Sequence, residues 1–363
     1  MLTLFQTWFK RYFSDPQIIT LVFLLLVGFL TILFLGSMLI PVFVGIIIAY
    51  VLEGIVQRLE RFKIKRKVSV FLVSILFMTC LILAMVSLLP LLTKQVALFI
   101  QELPNMLTKG QAIVLTLFEE HPKLMKELNI DSFIKGLAAE LTSQGQILLS
   151  FSLAGVKSLI SIIVYLVLVP LLVFFFLKDK SVILKWMAKF VPNDRYLSTM
   201  VWNDVNQQIS NYIRGKIWEI LIVWGISYAV FMLLNLKFAL LISFFVGLSV
   251  LFPYIGATIM VFPVALVAFF QWGLIAKSAY VVGAYGVIQA LDGNLLAPLL
   301  LSEVVNLHPV AIIVSILVFG GLWGLWGLFL AIPLATLVHA VIKALKTIDP
   351  VHGKIEGKEC EEQ

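Results

Sequence analysis

Residues 238–270 read FALLISFFVGLSVLFPYIGATIMVFPVALVAFF. This stretch decides the fold. Its 33 nearly continuous apolar positions would make one helix about 50 Å long, against a bilayer core of about 30 Å. Its middle, Phe252-Pro253-Tyr254-Ile255-Gly256, carries a proline that removes a backbone donor and a glycine that permits a sharp reversal. The economical solution is two half-length helices joined by a tip at Pro253–Gly256.

Working outward, residues 309–342 repeat the design. The run is again too long for one span, and its middle is GGLWGLWG, from Gly320 to Gly327. The two stretches open alike (Asn235-Leu236-Lys237, Asn306-Leu307-His308) and close alike (FPVALV from Phe262, IPLATLV from Ile332), offset by about 70 residues. Opposed re-entrant hairpins with tips near the midplane are a recurring transporter arrangement. The alternative is two very long, tilted spans.

The rest of the chain agrees on the solvent. Of 363 residues, 61% are hydrophobic and 13% charged, with a mean hydropathy of +1.06. Soluble domains run near 45–50% and 25%. This excludes a soluble enzyme, a disordered chain and a disulfide scaffold. Further apolar runs cover 18–35, 38–56, 68–92, 153–177, 217–234 and 278–301. The fold class is therefore all-α, a polytopic integral membrane protein of about eight segments. The run at 18–35 reads as a signal-anchor span rather than a cleaved leader.

Orientation follows the basic loops. Residues 57–67 hold six basic residues against one acid and 178–216 seven against three, whereas 93–150 hold five lysines against six acids. The first two are expected on the cytoplasmic side and the third outside, with both termini cytoplasmic. The net charge of +7 is then an orientation code, and no nucleic-acid partner is expected. Segment 93–150 reads as short amphipathic helices with turns at Pro104, Gly110, Pro122 and Gly145. Segment 178–216 breaks at Pro192-Asn193 and runs on as a helix, with Trp186, Trp202 and Trp218 as interfacial anchors. The transport region is 217–345, and 346–363 form a tail without core-forming content.

Between Ile217 and Ile342 only Glu219, Lys237, Lys277, Asp292 and Glu303 are charged. Glu219, Lys237 and Lys277 sit near predicted span ends and read as interfacial. Asp292 lies inside an apolar segment with Gln289, Gly293, Asn294 and Pro298. An intramembrane carboxylate is a functional-site hypothesis by default. Asp-Gly-Asn before a proline predicts a locally unwound helix whose carbonyls and side chains face a solute or cation; a self-satisfied helix break is the alternative. Glu303 and His308 form a candidate coupling pair, or an ordinary interfacial loop. The glycines Gly320, Gly321 and Gly324 suit close backbone approach, to a helix or a ligand. Cys80 and Cys360 form no metal spacing, His121, His308, His339 and His352 are scattered, and nucleotide, zinc-protease and hydrolase motifs are absent. No cofactor, metal or enzymatic activity is expected.

The stretches NQQISNYIRGK (206–216, containing Arg214), FPYIGATIMVFP (252–263), IQALDGNLLAPLL (288–300), VNLHP (305–309) and ILVFGGLWGLWGLFLAIPLATLVHAVIKA (316–344) resemble the autoinducer-2 exporter family, particularly its PerM-type permeases. So do the SDP at Ser14 and YLVLVPLLVFFFLKDK (165–180). The resemblance covers nearly the whole chain. One departure is Ala257, where many members have proline. The resemblance implies a bacterial inner-membrane homo-oligomer, a pentamer, with two helical hairpins beside the path of a small-molecule solute and an elevator-type motion. Members are linked to export of autoinducer-2, a small polar signal, and to sodium/proton antiport. A non-transporting scaffold is the reading outside transport.

Overall fold

The computed structural model describes residues 16–120, 155–190, 196–253, 255–273, 276–301 and 308–347. Every regular element in them is helical. In chain order these are α1 (Pro16–Arg61), α2 (Arg66–Leu83), α3 (Leu89–Glu120), α4 (Gly155–Lys178), α5 (Lys180–Met187), α6 (Tyr196–Leu233), α7 (Ala239–Ser249), α8 (Ile255–Trp272), α9 (Ala276–Leu291), α10 (Ala297–Leu301) and α11 (Pro309–Thr347). π-helical turns join α2 to α3 (Ala84–Leu88) and α9 to α10 (Asp292–Leu296). Four helical stretches among the described residues are long and apolar enough to cross a bilayer: Met38–Arg61, Arg66–Gly110, Val201–Leu233 and Ile255–Trp272. Val164–Lys178, Ala239–Ser249, Val310–Gly324 and Gly327–Lys343 are shorter apolar helices.

Three expectations change. The runs 18–35 and 38–56 are one helix of 46 residues with Pro41 inside it. Gly36-Ser37 therefore makes no turn, and the span-by-span alternation that put the N-terminus inside loses its first step. The run at 68–92 does not end at a loop either, because helix continues through the π turn into α3. Pro104 and Gly110, expected as turns, lie within α3. Gly110 serves close packing instead: a Cβ there would lie 2.4 Å from the Phe270 ring. The turns expected at Pro122 and Gly145, the break at Pro192-Asn193 and the tail from 348 onward fall outside the described residues.

The described chain falls into two compact units that interleave in sequence. One holds the residues up to Ser74, Val167–Gly215, and those from Leu301 onward. Here the buried Glu53 carboxylate of α1 takes a bidentate contact from Arg66 (3.2 and 3.1 Å) and a second cation from Lys180 (3.0 Å). Arg66 also donates to Leu177 O at 2.9 Å and reaches Glu60 at 3.4 Å. Arg66 thus ties the ends of α1, α2 and α4 together. Tyr50 Oη donates to Asn206 Oδ1 at 2.8 Å.

In the same unit α11 is not straight. Gly324 has φ 59° and ψ −134°, non-helical values inside the element. A Cβ on Gly327 would lie 1.8 Å from Phe319 O, and one on Gly320 would lie 2.7 Å from Leu328 Cδ2. Residues eight apart in a straight helix stand about 12 Å apart, so the chain doubles back at Gly324.

The other unit holds Ile75–Leu166 and Lys216–Leu300. Its core joins Val223 and Phe231 of α6, Ile242 and Val246 of α7, Val264, Val267 and Ala268 of α8, and Val281, Tyr285 and Ile288 of α9. In lipid such packing depends on close approach more than on water exclusion. Gly247 accordingly fits against the Trp224 Cβ, where a side chain would overlap at 2.6 Å. The chain enters α7 through two left-handed residues, Asn235 (φ 56°) and Phe238 (φ 58°). Gln271, at the far end of α8, clips that entry: Lys237 N donates to Gln271 Oε1 at 2.7 Å, and Gln271 Nε2 donates to Asn235 O at 2.9 Å. The two ends of the 238–270 stretch are therefore adjacent, and α7 and α8 run antiparallel about the break at 250–254.

α3 docks on this entry. Lys237 pairs with Glu102, the Phe99 ring stacks edge-on to Phe238 at 5.3 Å, and Gln95 Oε1 accepts from Leu241 N at 2.9 Å. Gln95 thereby caps a first-turn amide of α7 that the helix itself leaves open. Gln95→Ala should lower thermal stability in detergent by about 1 kcal/mol, the usual worth of a lost cap.

Candidate functional site

The polar groups of the second unit gather around the break between α7 and α8. The break is built tightly. Phe252 N donates to Ser249 O (3.0 Å), Ile255 N to Pro253 O (2.7 Å) and Gly256 N to Phe252 O (2.9 Å). A Cβ on Gly256 would lie 1.8 Å from Ser249 O. Gly256 thus does for this break what Gly327 does for the one at Gly324: in each, a glycine rests on a carbonyl of the incoming helix. Pro253 is half-buried. Tyr254 lies outside the described residues.

Below the break sits an ion pair that sequence reading missed. Lys216 and Glu219 are one helical turn apart on α6 and only 5% and 2% exposed. Lys216 Nζ donates to Glu219 Oε1 at 3.1 Å and lies 2.9 Å from Oε2. It also donates to Val250 O at 3.0 Å, at the C-terminal end of α7. Glu219, expected at the interface, is therefore a core residue. An ammonium answers its charge, and a helix C-terminus favours that ammonium. Lys216 had fallen to the preceding basic segment. The available signal was an opposite-charge pair at i, i+3 at the start of an apolar run. Lys237 and Lys277 are exposed, Lys277 over the Trp272 ring at 5.9 Å.

Tyr285 and Gln289 share a face of α9 by their spacing of four, and Asp292 follows three residues later as the first residue of the π turn. Tyr285 Oη donates to Ala257 O at 2.6 Å, joining α9 to the first turn of α8. Gln289 Nε2 and Asp292 Oδ1 are buried and have no hydrogen-bond partner among the described residues. A buried unpaired polar atom costs about 1–3 kcal/mol, more when charged. The expected unwinding does not occur: Asp292–Leu296 is a π turn, with Ala297 N bonded to Asp292 O. One extra residue in the turn shifts the helix face without freeing a run of carbonyls, and such turns concentrate at functional sites.

The remaining candidates separate from this cluster. Asn294 is exposed and donates to Ala290 O of its own helix at 2.8 Å. Gly293 and Gly321 have open space around them. Gly320, Gly321 and Gly324 belong to the other unit. His308 is exposed, and its Nδ1 accepts from Val310 N at 3.3 Å, capping α11. Glu303 lies outside the described residues. Arg214, also in the other unit, lies over Gly54, where a Cβ would be 3.1 Å from its Cζ, and its buried Nε has no partner among the described residues. Among the described residues no three acidic, histidine or cysteine side chains are grouped to hold a metal.

The family model for AI-2E family transporters matches residues 18–347. The chain is 43% identical over 344 residues to "Putative permease PerM" of Escherichia coli (strain K12), covering 95% of this chain and 98% of that protein. It is 24% identical over 314 residues to "AI-2 transport protein TqsA" of the same organism, covering 85% and 87%. The chain, helical in every regular element among its described residues and matched along almost its full length, belongs to the AI-2E family of membrane transporters.

Proposed function

We propose that this protein is a secondary transporter that exports a small polar solute, and that the solute path passes Asp292. The observation that carries the reading is the buried carboxylate oxygen of Asp292, which has no hydrogen-bond partner among the described residues. An acceptor left open suits a ligand that donates a hydrogen bond. On this reading the 238–270 and 309–342 stretches are re-entrant hairpins within the transport region 217–345. The tips at Pro253–Gly256 and Gly320–Gly327 gate opposite sides of the bacterial inner membrane. The C-terminus faces the cytoplasm, following the basic loops; a homo-oligomeric, pentameric assembly rests on family resemblance. The name of TqsA makes an autoinducer-2-like molecule the first solute to test.

The same carboxylate supports a second reading, sodium/proton antiport, since an open carboxylate oxygen also accepts a cation. A metabolite comparison of cells with and without the protein supplies the solute. Asp292→Asn in proteoliposomes then tests the site. Transport should fall at least about 100-fold, the scale of losing one charged contact of ~3 kcal/mol, while the oligomer elutes unchanged. Solute-independent proton flux on adding sodium would favour antiport. Unaltered transport by the variant would remove Asp292 from the path, and the absence of any flux from the unaltered protein would leave a scaffold.

A further inference from the structure

We propose that Arg214, seated on Gly54 at the C-terminal end of α1, forms with Arg58 and Arg61 a binding site for the phosphate of an anionic membrane lipid. The site lies wholly within the unit that contains α1. It depends neither on Asp292 nor on any transported solute.

Gly54 fixes the arginine. A Cβ there would lie 3.1 Å from Arg214 Cζ and 3.2 Å from both Nε and Nη2. Three nearly equal distances put the flat face of the guanidinium over Gly54, so its N–H groups lie along the surface of α1 rather than against its backbone. The side chain is half-buried, and its enclosed Nε has no partner among the described residues. A buried donor without an acceptor is costly, and an arriving oxyanion finds no ion pair to displace.

No carboxylate answers this charge. Glu53, next to Gly54, is already bound by Arg66 and Lys180, and Glu60 by Arg66. The neighbours are cations instead. Arg58 and Arg61, both in the last turn of α1, follow Gly54 by four and seven residues, the spacing that puts them on the face Arg214 covers. Both are exposed. Three guanidiniums without an acid call for an oxyanion, and the planar fork of arginine matches phosphate in particular.

The position selects lipid as the source. The apolar run of 38–56 ends two residues past Gly54, inside a helical stretch long enough to span a bilayer. Arg214 therefore stands where hydrocarbon gives way to headgroups, the level at which basic side chains meet anionic lipid. Ile55 and Phe62, also seven residues apart, are 38% and 78% exposed. They supply an apolar stripe beside the arginine face, which an acyl chain would cover and a free phosphate would not.

The test is a thermal-shift titration of the purified protein in non-ionic detergent with phosphatidylglycerol, phosphatidylcholine or inorganic phosphate. Phosphatidylglycerol should raise the midpoint and saturate. Phosphatidylcholine, which carries its own ammonium, should act only at higher concentration. Arg214→Met should weaken the apparent affinity for phosphatidylglycerol at least about tenfold, the scale of one lost charge-assisted hydrogen bond. Arg214→Lys keeps the charge and loses the fork, so it should fall between the two. Gly54→Ala keeps every charge but displaces the guanidinium, and should also weaken binding. Lys67→Gln removes an exposed cation at the start of α2 and should matter less than Gly54→Ala. Equal effects of Lys67→Gln and Arg214→Met, or none from Gly54→Ala, would reduce the site to general surface attraction and overturn it. Equal stabilisation by the two lipids would do the same. Inorganic phosphate acting at the same concentration as phosphatidylglycerol would overturn the lipid as occupant. If Arg214→Met does not fold, Arg214→Lys and Gly54→Ala carry the comparison.

Discussion

Gly256→Ala should fail to accumulate as folded protein, or melt far below the unaltered protein in detergent. The added Cβ would lie 1.8 Å from Ser249 O. A backbone carbonyl cannot swing aside as a flexible side chain can. The overlap must be relieved by moving the reversal itself, where Gly256 N is bonded to Phe252 O and Phe252 N to Ser249 O. The cost belongs at the top of the overpacking range, about 3 kcal/mol or more. Gly327→Ala should behave the same way, because its Cβ would meet Phe319 O at the same distance. Two controls separate this from a general sensitivity to alanine. Gly293 and Gly321 have nothing within 4 Å of an added Cβ, and alanine there should be neutral or stabilise by up to about 1 kcal/mol. A thermal series in which all four variants melt together would contradict the two tight reversals.

Lys216→Ala should be the most damaging charge removal among the described residues. It leaves Glu219, 2% exposed, without its cation and Val250 O without its donor. Breaking a buried pair from one side costs about 3–5 kcal/mol. Removing both charges with methionine should recover most of that, since the uncompensated carboxylate is what hurts. The double-mutant cycle measures the coupling: a large negative interaction is expected, and additive single losses would show that the pair is not held as the distances indicate. The contrast with Lys237 is useful. Its partner Glu102 is about one-third exposed, so Lys237→Ala should cost no more than about 1 kcal/mol.

Some of this was legible in the residues and some was not. The chain break in 238–270 was readable because its causes are local: an over-long apolar run, a proline and a glycine within a few positions. The reversal in 309–342 was readable for the same reason. Asp292 stood out because a carboxylate is costly wherever it falls in an apolar run. The continuity of α1 was less readable, because Gly36-Ser37 resembles a turn and only the run of helical backbone from Pro16 to Arg61 excludes one. Gly110 was misread for a related reason. A glycine that makes room for Phe270 and a glycine that turns the chain look identical in sequence.

The sequence alone determined the solvent, the helical class, the two interrupted segments and the isolation of Asp292, since all four follow from apolarity, backbone chemistry and charge at single positions. Tertiary structure decided which polar groups meet. Lys216 and Glu219 look like an ordinary interfacial pair until Val250 O arrives from a helix more than 30 residues later. Gln95 is one polar residue among many until it caps Leu241 N. Such contacts depend on which faces of distant helices come together, and in lipid that choice is made by packing between surfaces of nearly uniform apolarity. A hydrophobic pattern that is apolar on every side carries no record of it.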